Sequence, residues 1–172
     1  KGVGALYVRR KNPRVTITAL LAGGGQERGI RSGTLNVPGI VGLGKAAELC
    51  LLKLEEDRSL ISLLRNELEL ELLQLGCKIN GDRLHRLPHI TNCTFNPLNS
   101  NSLIASFAPH LAVSSGSACS EESHEPSHVL TAMGLTANEA KRSVRFALTR
   151  FTTADEIEEA KQIIRKIVND LS

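Results

Sequence analysis

From Asn36 onward, apolar residues recur at steps of three, four or seven: Ile40, Leu43, Ala47, Leu51, Leu54, Ile61, Leu64, Leu68 and Leu72. That spacing is one face of an α-helix. Asn36 stands near the cap, Pro38 in the first turn and Gly76 at the stop, which is the usual asymmetry of proline just inside a helix and glycine just past its end. Unbroken, the segment runs for about 38 residues, or roughly 57 Å. A rod of that length exceeds the width of one small domain. The economical expectation is that it passes from one domain into a second, with the boundary about halfway along, so that residues 1–55 fall on one side and 56–172 on the other. Gly42 and Gly44 mark where a bend would fall.

At 172 residues, 41% hydrophobic and 23% charged, the chain is long enough to bury a real core. The formal net charge is +3, and Lys and Arg are scattered apart from the short run Arg9, Arg10, Lys11. Without a basic stripe, nucleic acid is not an expected partner. No apolar run approaches the roughly 20 residues of a membrane span, and no charged leader precedes an apolar segment. The expectation is a soluble chain of the cytoplasm or an organelle matrix, with no membrane partner. Cys50, Cys77, Cys93 and Cys119 form no CxxC pair, which argues against a zinc ribbon and a disulfide scaffold and for free thiols in a reducing compartment.

The chain has no initiator methionine and opens on Ala5-Leu-Tyr-Val8, which reads as a buried strand, so a start within a domain is expected. Val15 to Leu21 looks extended. The segment from Gly23 to Thr34 holds five glycines in twelve residues and reads as a loop with unusual backbone freedom. After the long helix, strand and helix alternate. Cys77 to Asn80 and His89 to Phe95 look extended, Ser102 to Phe107 helical, Leu111 to Ser114 briefly extended, and Pro126 to Met133 helical with Gly134 as its stop. Thr136 with Glu139 and Thr153 with Glu156 form two capping boxes. Between them Ser143 to Leu148 alternates like a strand, and the set Ile157, Ala160, Ile163, Ile164, Ile167, Val168 and Leu171 makes an amphipathic helix. The fold class expected is α/β.

Four groups stand out chemically. Cys119 follows Ser114, Ser115, Gly116, Ser117 and Ala118, small residues that supply little packing and read as a mobile, solvated loop. Arg145 stands between Val144 and Phe146 in an apolar strand, where a charge is costly unless paired, either with a structural carboxylate or with that of a ligand. Thr34 lies between the glycine loop and the long helix, where a hydroxyl and free N–H groups suit a phosphate. His124 and His128 are four apart, but Pro126 between them breaks the helical spacing a metal pair would need. No metal site is expected, and His85, His89 and His110 read as surface or turn residues.

Taken in order, Lys-Gly-Val-Gly-Ala-Leu-Tyr-Val-Arg-Arg, Gly-Gly-Gly-Gln-Glu-Arg-Gly-Ile-Arg-Ser-Gly-Thr-Leu, Ser-Ser-Gly-Ser-Ala-Cys, Glu-Pro-Ser-His-Val-Leu and Val-Arg-Phe-Ala-Leu-Thr-Arg-Phe-Thr-Thr resemble the NifS/IscS-type cysteine desulfurases of aminotransferase class V. The resemblance covers essentially the whole chain. It implies the C-terminal portion of a fold type I, pyridoxal-phosphate-dependent enzyme. Residues 1–55 would close the large cofactor-binding domain, and residues 56–172 would form the small domain with the cysteine loop. The implied activity converts L-cysteine to L-alanine and hands the sulfur to an acceptor or iron–sulfur scaffold protein. By the same resemblance Cys119 is the persulfide-forming nucleophile and Arg145 grips the substrate carboxylate. Thr34 reaches across a homodimer interface to the cofactor phosphate of the other subunit. Lys1 matches the lysine of a Gly-Pro-Lys-Gly turn, so the Schiff-base lysine, found in a Ser-Gly-His-Lys segment of the family, is expected upstream, and residues 1–172 alone are expected to be inactive. A selenocysteine lyase is a near neighbour, through Gly-Gly-Gly-Gln-Glu-Arg and Gly-Leu-Gly-Lys-Ala-Ala-Glu-Leu. A non-catalytic docking module, or a metal-binding one using Cys119, His124 and His128, is the alternative from another class.

Overall fold

The computed structural model describes residues 2–96, 100–115 and 126–171. They divide into two compact units, Lys1–Leu54 and Glu55–Ser172. Helix α1, Val37–Gln74, begins in the first and ends in the second, and it runs unbroken through Gly42 and Gly44. Both ends are set locally. The Asn36 side chain accepts a hydrogen bond from the Gly39 N–H at 3.1 Å, one of the donors a helix start leaves without a partner. At the other end Gly76 adopts φ +77°, open to glycine at little cost. That turn lets the Cys77 N–H reach the Leu72 carbonyl at 3.0 Å and the Gly76 N–H reach Leu73 at 3.1 Å, a Schellman motif.

In the first unit none of the described residues is buried. Ala5 to Val8, expected as a buried strand, forms no strand here, and Leu6 and Tyr7 are exposed at 77% and 86%. A strand needs a neighbour for its backbone groups, and the described residues offer this segment none. The glycine loop is more ordered than its composition suggests. It contains a 3-10 turn, Gln26–Gly29, an isolated bridge from Leu21 to Arg31, and a hydrogen bond from the Gly33 N–H to Gln26 Oε1 at 3.1 Å.

The second unit holds the core. Strands β1 (Lys78–Ile79), β2 (Ile90–Thr94) and β3 (Ser143–Ala147) form an antiparallel sheet in that order, with Asn92 opposite Arg145 and Cys93 opposite Val144. Helices α2 (Ser100–Phe107), α3 (His128–Ala132), α4 (Ala137–Lys141) and α5 (Ala154–Leu171) complete the unit. Both expected capping boxes form, at Thr136 with Glu139 and at Thr153 with Glu156. Leu64, Leu68 and Leu72 of α1 share one apolar cluster with Cys93, Phe95, Leu103, Phe107, Val144, Phe146 and Ile164. Within it Phe107 stacks edge-on against Phe146 with ring centroids 6.1 Å apart. Among the described residues no helix is long and apolar enough to cross a membrane.

Candidate functional site

Side chains alternate across a strand, so the register sorts the sheet into two faces. Thr91, Cys93, Val144 and Phe146 face the core and are buried. Asn92, Thr94, Ser143 and Arg145 share the opposite face. Strand β3 is therefore apolar on one face only. Arg145 lies on the polar side, half-buried, and not among the aliphatic neighbours its sequence context suggests. Among the described residues its guanidinium has no carboxylate partner, so the structural ion pair that could have explained it is not seen there.

The backbone of Arg145 is tied to Ser114, ahead of Cys119 in the sequence. Its N–H donates to the Ser114 carbonyl at 2.8 Å and its carbonyl accepts from the Ser114 N–H at 3.3 Å. The stretch expected to be a brief strand at Leu111 to Ser114 is reduced to this bridge. Cys119, five residues beyond Ser114, and His124 lie outside the described residues. Ser114 Oγ is itself buried and, among the described residues, without a hydrogen-bond partner. Neither Ser114 nor Asn92 stands out from sequence as a neighbour of Arg145, because they come from segments 31 and 53 positions away.

A polar network supports this face. Asn80 Nδ2 donates to Asn92 Oδ1 at 2.7 Å and to Thr94 Oγ1 at 2.9 Å. Thr94 Oγ1 and Ser143 Oγ lie 2.8 Å apart, and Ser143 Oγ donates to the Glu139 carbonyl at 2.8 Å. Thr94 and Ser143 are fully buried, so these bonds replace the water they have lost. The result is a fixed polar floor beside Arg145.

Thr34 stands exposed between the glycine loop and α1, with no hydrogen bond to its hydroxyl among the described residues. The Asn36 cap already takes one N–H of the helix start, so the helix end offers an anion less than an uncapped one would. The exposed hydroxyl is open to a contact from outside the described residues. Of the remaining cysteines, Cys77 and Cys93 are buried and Cys50 is exposed on α1. A contact from Cys77, together with burial, pushes the Cys93 thiol well above its ordinary value, which makes it a poor nucleophile.

This chain belongs to the aminotransferase class-V family, whose sequence pattern it matches over residues 1–160. It is 48% identical over 177 residues to the cysteine desulfurase IscS of Anaeromyxobacter dehalogenans (strain 2CP-C), covering 99% of this chain and 42% of that protein. The X-ray structure of a NifS-like protein from Rickettsia africae ESF-5 matches 90% of this chain and 41% of its own, with a TM-score of 0.78 at 34% identity. A solved structure of SspA in complex with cysteine matches 80% of this chain and 37% of its own, with a TM-score of 0.53 at 31% identity. The fold is thus the expected one, a portion of the α/β fold of NifS-like pyridoxal-phosphate enzymes. The chain spans about 42% of the length of the curated relative.

Proposed function

We propose that this chain is the part of a pyridoxal-phosphate-dependent cysteine desulfurase that recognises the substrate carboxylate and carries the sulfur-accepting cysteine. The observation that carries the reading is Arg145. It is a half-buried guanidinium on the polar face of the sheet, without a carboxylate among the described residues, and its backbone is paired with Ser114, five residues ahead of Cys119. A planar guanidinium holds a carboxylate through two parallel hydrogen bonds, which suits an amino-acid substrate. The similarity to the cysteine desulfurase IscS and to SspA in complex with cysteine supports L-cysteine as that substrate.

In this reading Arg145 orients the amino acid by its carboxylate so that its sulfur faces Cys119. The Cys119 thiolate attacks that sulfur, the carbon–sulfur bond breaks, and a persulfide remains on Cys119 while the carbon skeleton leaves as L-alanine after taking up a proton. The pyridoxal ring, when bound, supplies the electron sink that lets the carbon–sulfur bond break. Thr34 contributes a hydroxyl to its phosphate from the other subunit of a homodimer, and residues 1–55 belong to the cofactor-binding domain, with 56–172 as the small domain. The persulfide is then handed to an acceptor or iron–sulfur scaffold protein. Burial of Cys77 and Cys93 supports Cys119 as the carrier. No lysine among residues 1–172 stands in a Ser-Gly-His-Lys context, so the chain by itself neither holds the cofactor covalently nor desulfurates cysteine.

The test is to give L-cysteine to the protein as it is naturally expressed and to its Cys119→Ser variant. The native protein should release alanine and gain one sulfur on Cys119 by mass spectrometry, whereas the variant should do neither. A persulfide on Cys50, Cys77 or Cys93, or full sulfur release by the variant, would remove Cys119 from this role.

A further inference from the structure

Arg145 directs both its N–H and its carbonyl to Ser114. Toward β2 it therefore faces Asn92 as a pair that exchanges no backbone hydrogen bonds, the closer of the two antiparallel pairings, with Cα atoms about 4.5 Å apart. Their side chains stand side by side on the polar face. The Asn92 amide is also oriented. Its Oδ1 accepts from Asn80 Nδ2 at 2.7 Å, a nitrogen that also donates to Thr94 Oγ1 at 2.9 Å and to Ser143 Oγ at 3.2 Å, so the oxygen is committed to that network and Nδ2 is the end of the amide left without a partner among the described residues. An amide nitrogen and a guanidinium are both donors only. Neither can satisfy the other, and among the described residues neither has an acceptor.

We infer that Asn92 is a second donor of the carboxylate site, adding an N–H to the pair offered by Arg145, with Asn80 acting on it as a positioning residue. Two adjacent donor groups that lack an acceptor and are fixed by the sheet register form a receptor for a small anion with two oxygens. Ser114 extends the same row, since its side chain lies on the same face on the far side of Arg145 and its buried Oγ has no partner among the described residues. The inference rests on the reading of Arg145 proposed above and adds the residue that sets the orientation of the bound carboxylate.

The experiment compares L-alanine with ethylamine, which differ only by the carboxylate, as ligands of the naturally expressed protein. Dissociation constants are read by ligand-observed NMR for native protein, Arg145→Ala, Asn92→Ala, Asn92→Asp and Asn80→Ala. Asn92→Asp retains the oxygen that Asn80 bonds, so the sheet is kept while a donor becomes an anion beside Arg145. L-Alanine affinity should fall about tenfold in Asn92→Ala, the size of one hydrogen bond to a charged group, and further in Asn92→Asp. Asn80→Ala should show a smaller loss of the same kind, and ethylamine affinity should hold throughout. If Arg145→Ala loses L-alanine and the Asn92 variants do not, or if they lose both ligands equally, Asn92 is not a carboxylate donor. If Arg145→Ala itself keeps L-alanine affinity, the reading of Arg145 fails and this inference falls with it.

Discussion

At the scale of single residues, the proposed role of Arg145 separates binding from chemistry. If its guanidinium holds the substrate carboxylate as proposed, replacing it by alanine should weaken L-cysteine binding by about 1.5–3 kcal/mol. Lysine keeps the charge but not the planar fork, so Arg145→Lys should recover only part of that loss. In both variants the Cys119 thiol should still react with a small alkylating reagent at the native rate, because nothing in its own chemistry has changed. Cysteine titrations of each variant, read beside the alkylation rate, check this. Alkylation slowed in step with binding would mean that Arg145 acts on the loop and not on the ligand. Cys119, Arg145 and Thr34 are marked out in the sequence itself, because a charge in a strand, a cysteine among small residues or a hydroxyl between a glycine loop and a helix is a local anomaly; of the three, the structure describes Arg145 and Thr34. What surrounds Arg145 was not legible. Which face a strand turns to the core, and which distant backbone pairs with it, are decided by register, and only the fold brings Asn92 and Ser114 to either side of it.

At the scale of elements, what could be read from sequence was set within a few residues. The ends of α1 follow from Asn36 and Gly76, and α4 and α5 start at their capping boxes. The charged groups buried on α1 lacked such a local signal. Glu69 is 1% exposed and is held by Arg86, whose Nη2 donates to Oε2 at 2.8 Å while Nη1 reaches Oε1. Burial, the largest single influence, would raise Glu69, but the hydrogen bonds and charge of Arg86, together with Thr91 and the charge of Arg65, outweigh it and leave this carboxyl below its ordinary range. With its folded pKa below the unfolded one, the pair's stabilisation is complete above the unfolded value, about 4.3. It is lost as pH falls through the folded pKa. Arg65 Nε and Arg83 Nη2 each stand 3.9 Å from Glu69, too far to replace Arg86. Arg86→Leu should therefore cost about 3–5 kcal/mol. The double variant Glu69→Leu with Arg86→Leu should regain most of that and lose the acid dependence. Urea melts from pH 3 to 7 check both, and an Arg86→Leu variant as stable as the native chain would show that the pair contributes nothing.

At the scale of the whole molecule, burial is divided unevenly between the two units. Every buried side chain among the described residues lies at or after Ile61. Up to Leu54, large apolar residues such as Leu6, Tyr7, Leu20, Leu51 and Leu52 are 70% exposed or more. Burying a leucine is worth about 1.5–3 kcal/mol, and ordering the backbone costs about 1–2 kcal/mol per residue. The second unit has the apolar contacts to offset that cost and the first does not. Residues 55–172 expressed alone should therefore unfold in urea as one cooperative transition, with dispersed amide NMR signals. Residues 1–54 alone should show no transition, little signal dispersion and strong binding of a hydrophobic dye. In a chain of the full length of the curated relative, of which this one spans about 42%, the same apolar side chains should be covered, and dye binding per molecule should drop. A cooperative transition in the isolated first 54 residues would mean that they form a core of their own, and would remove the reason to place them in a larger cofactor-binding domain.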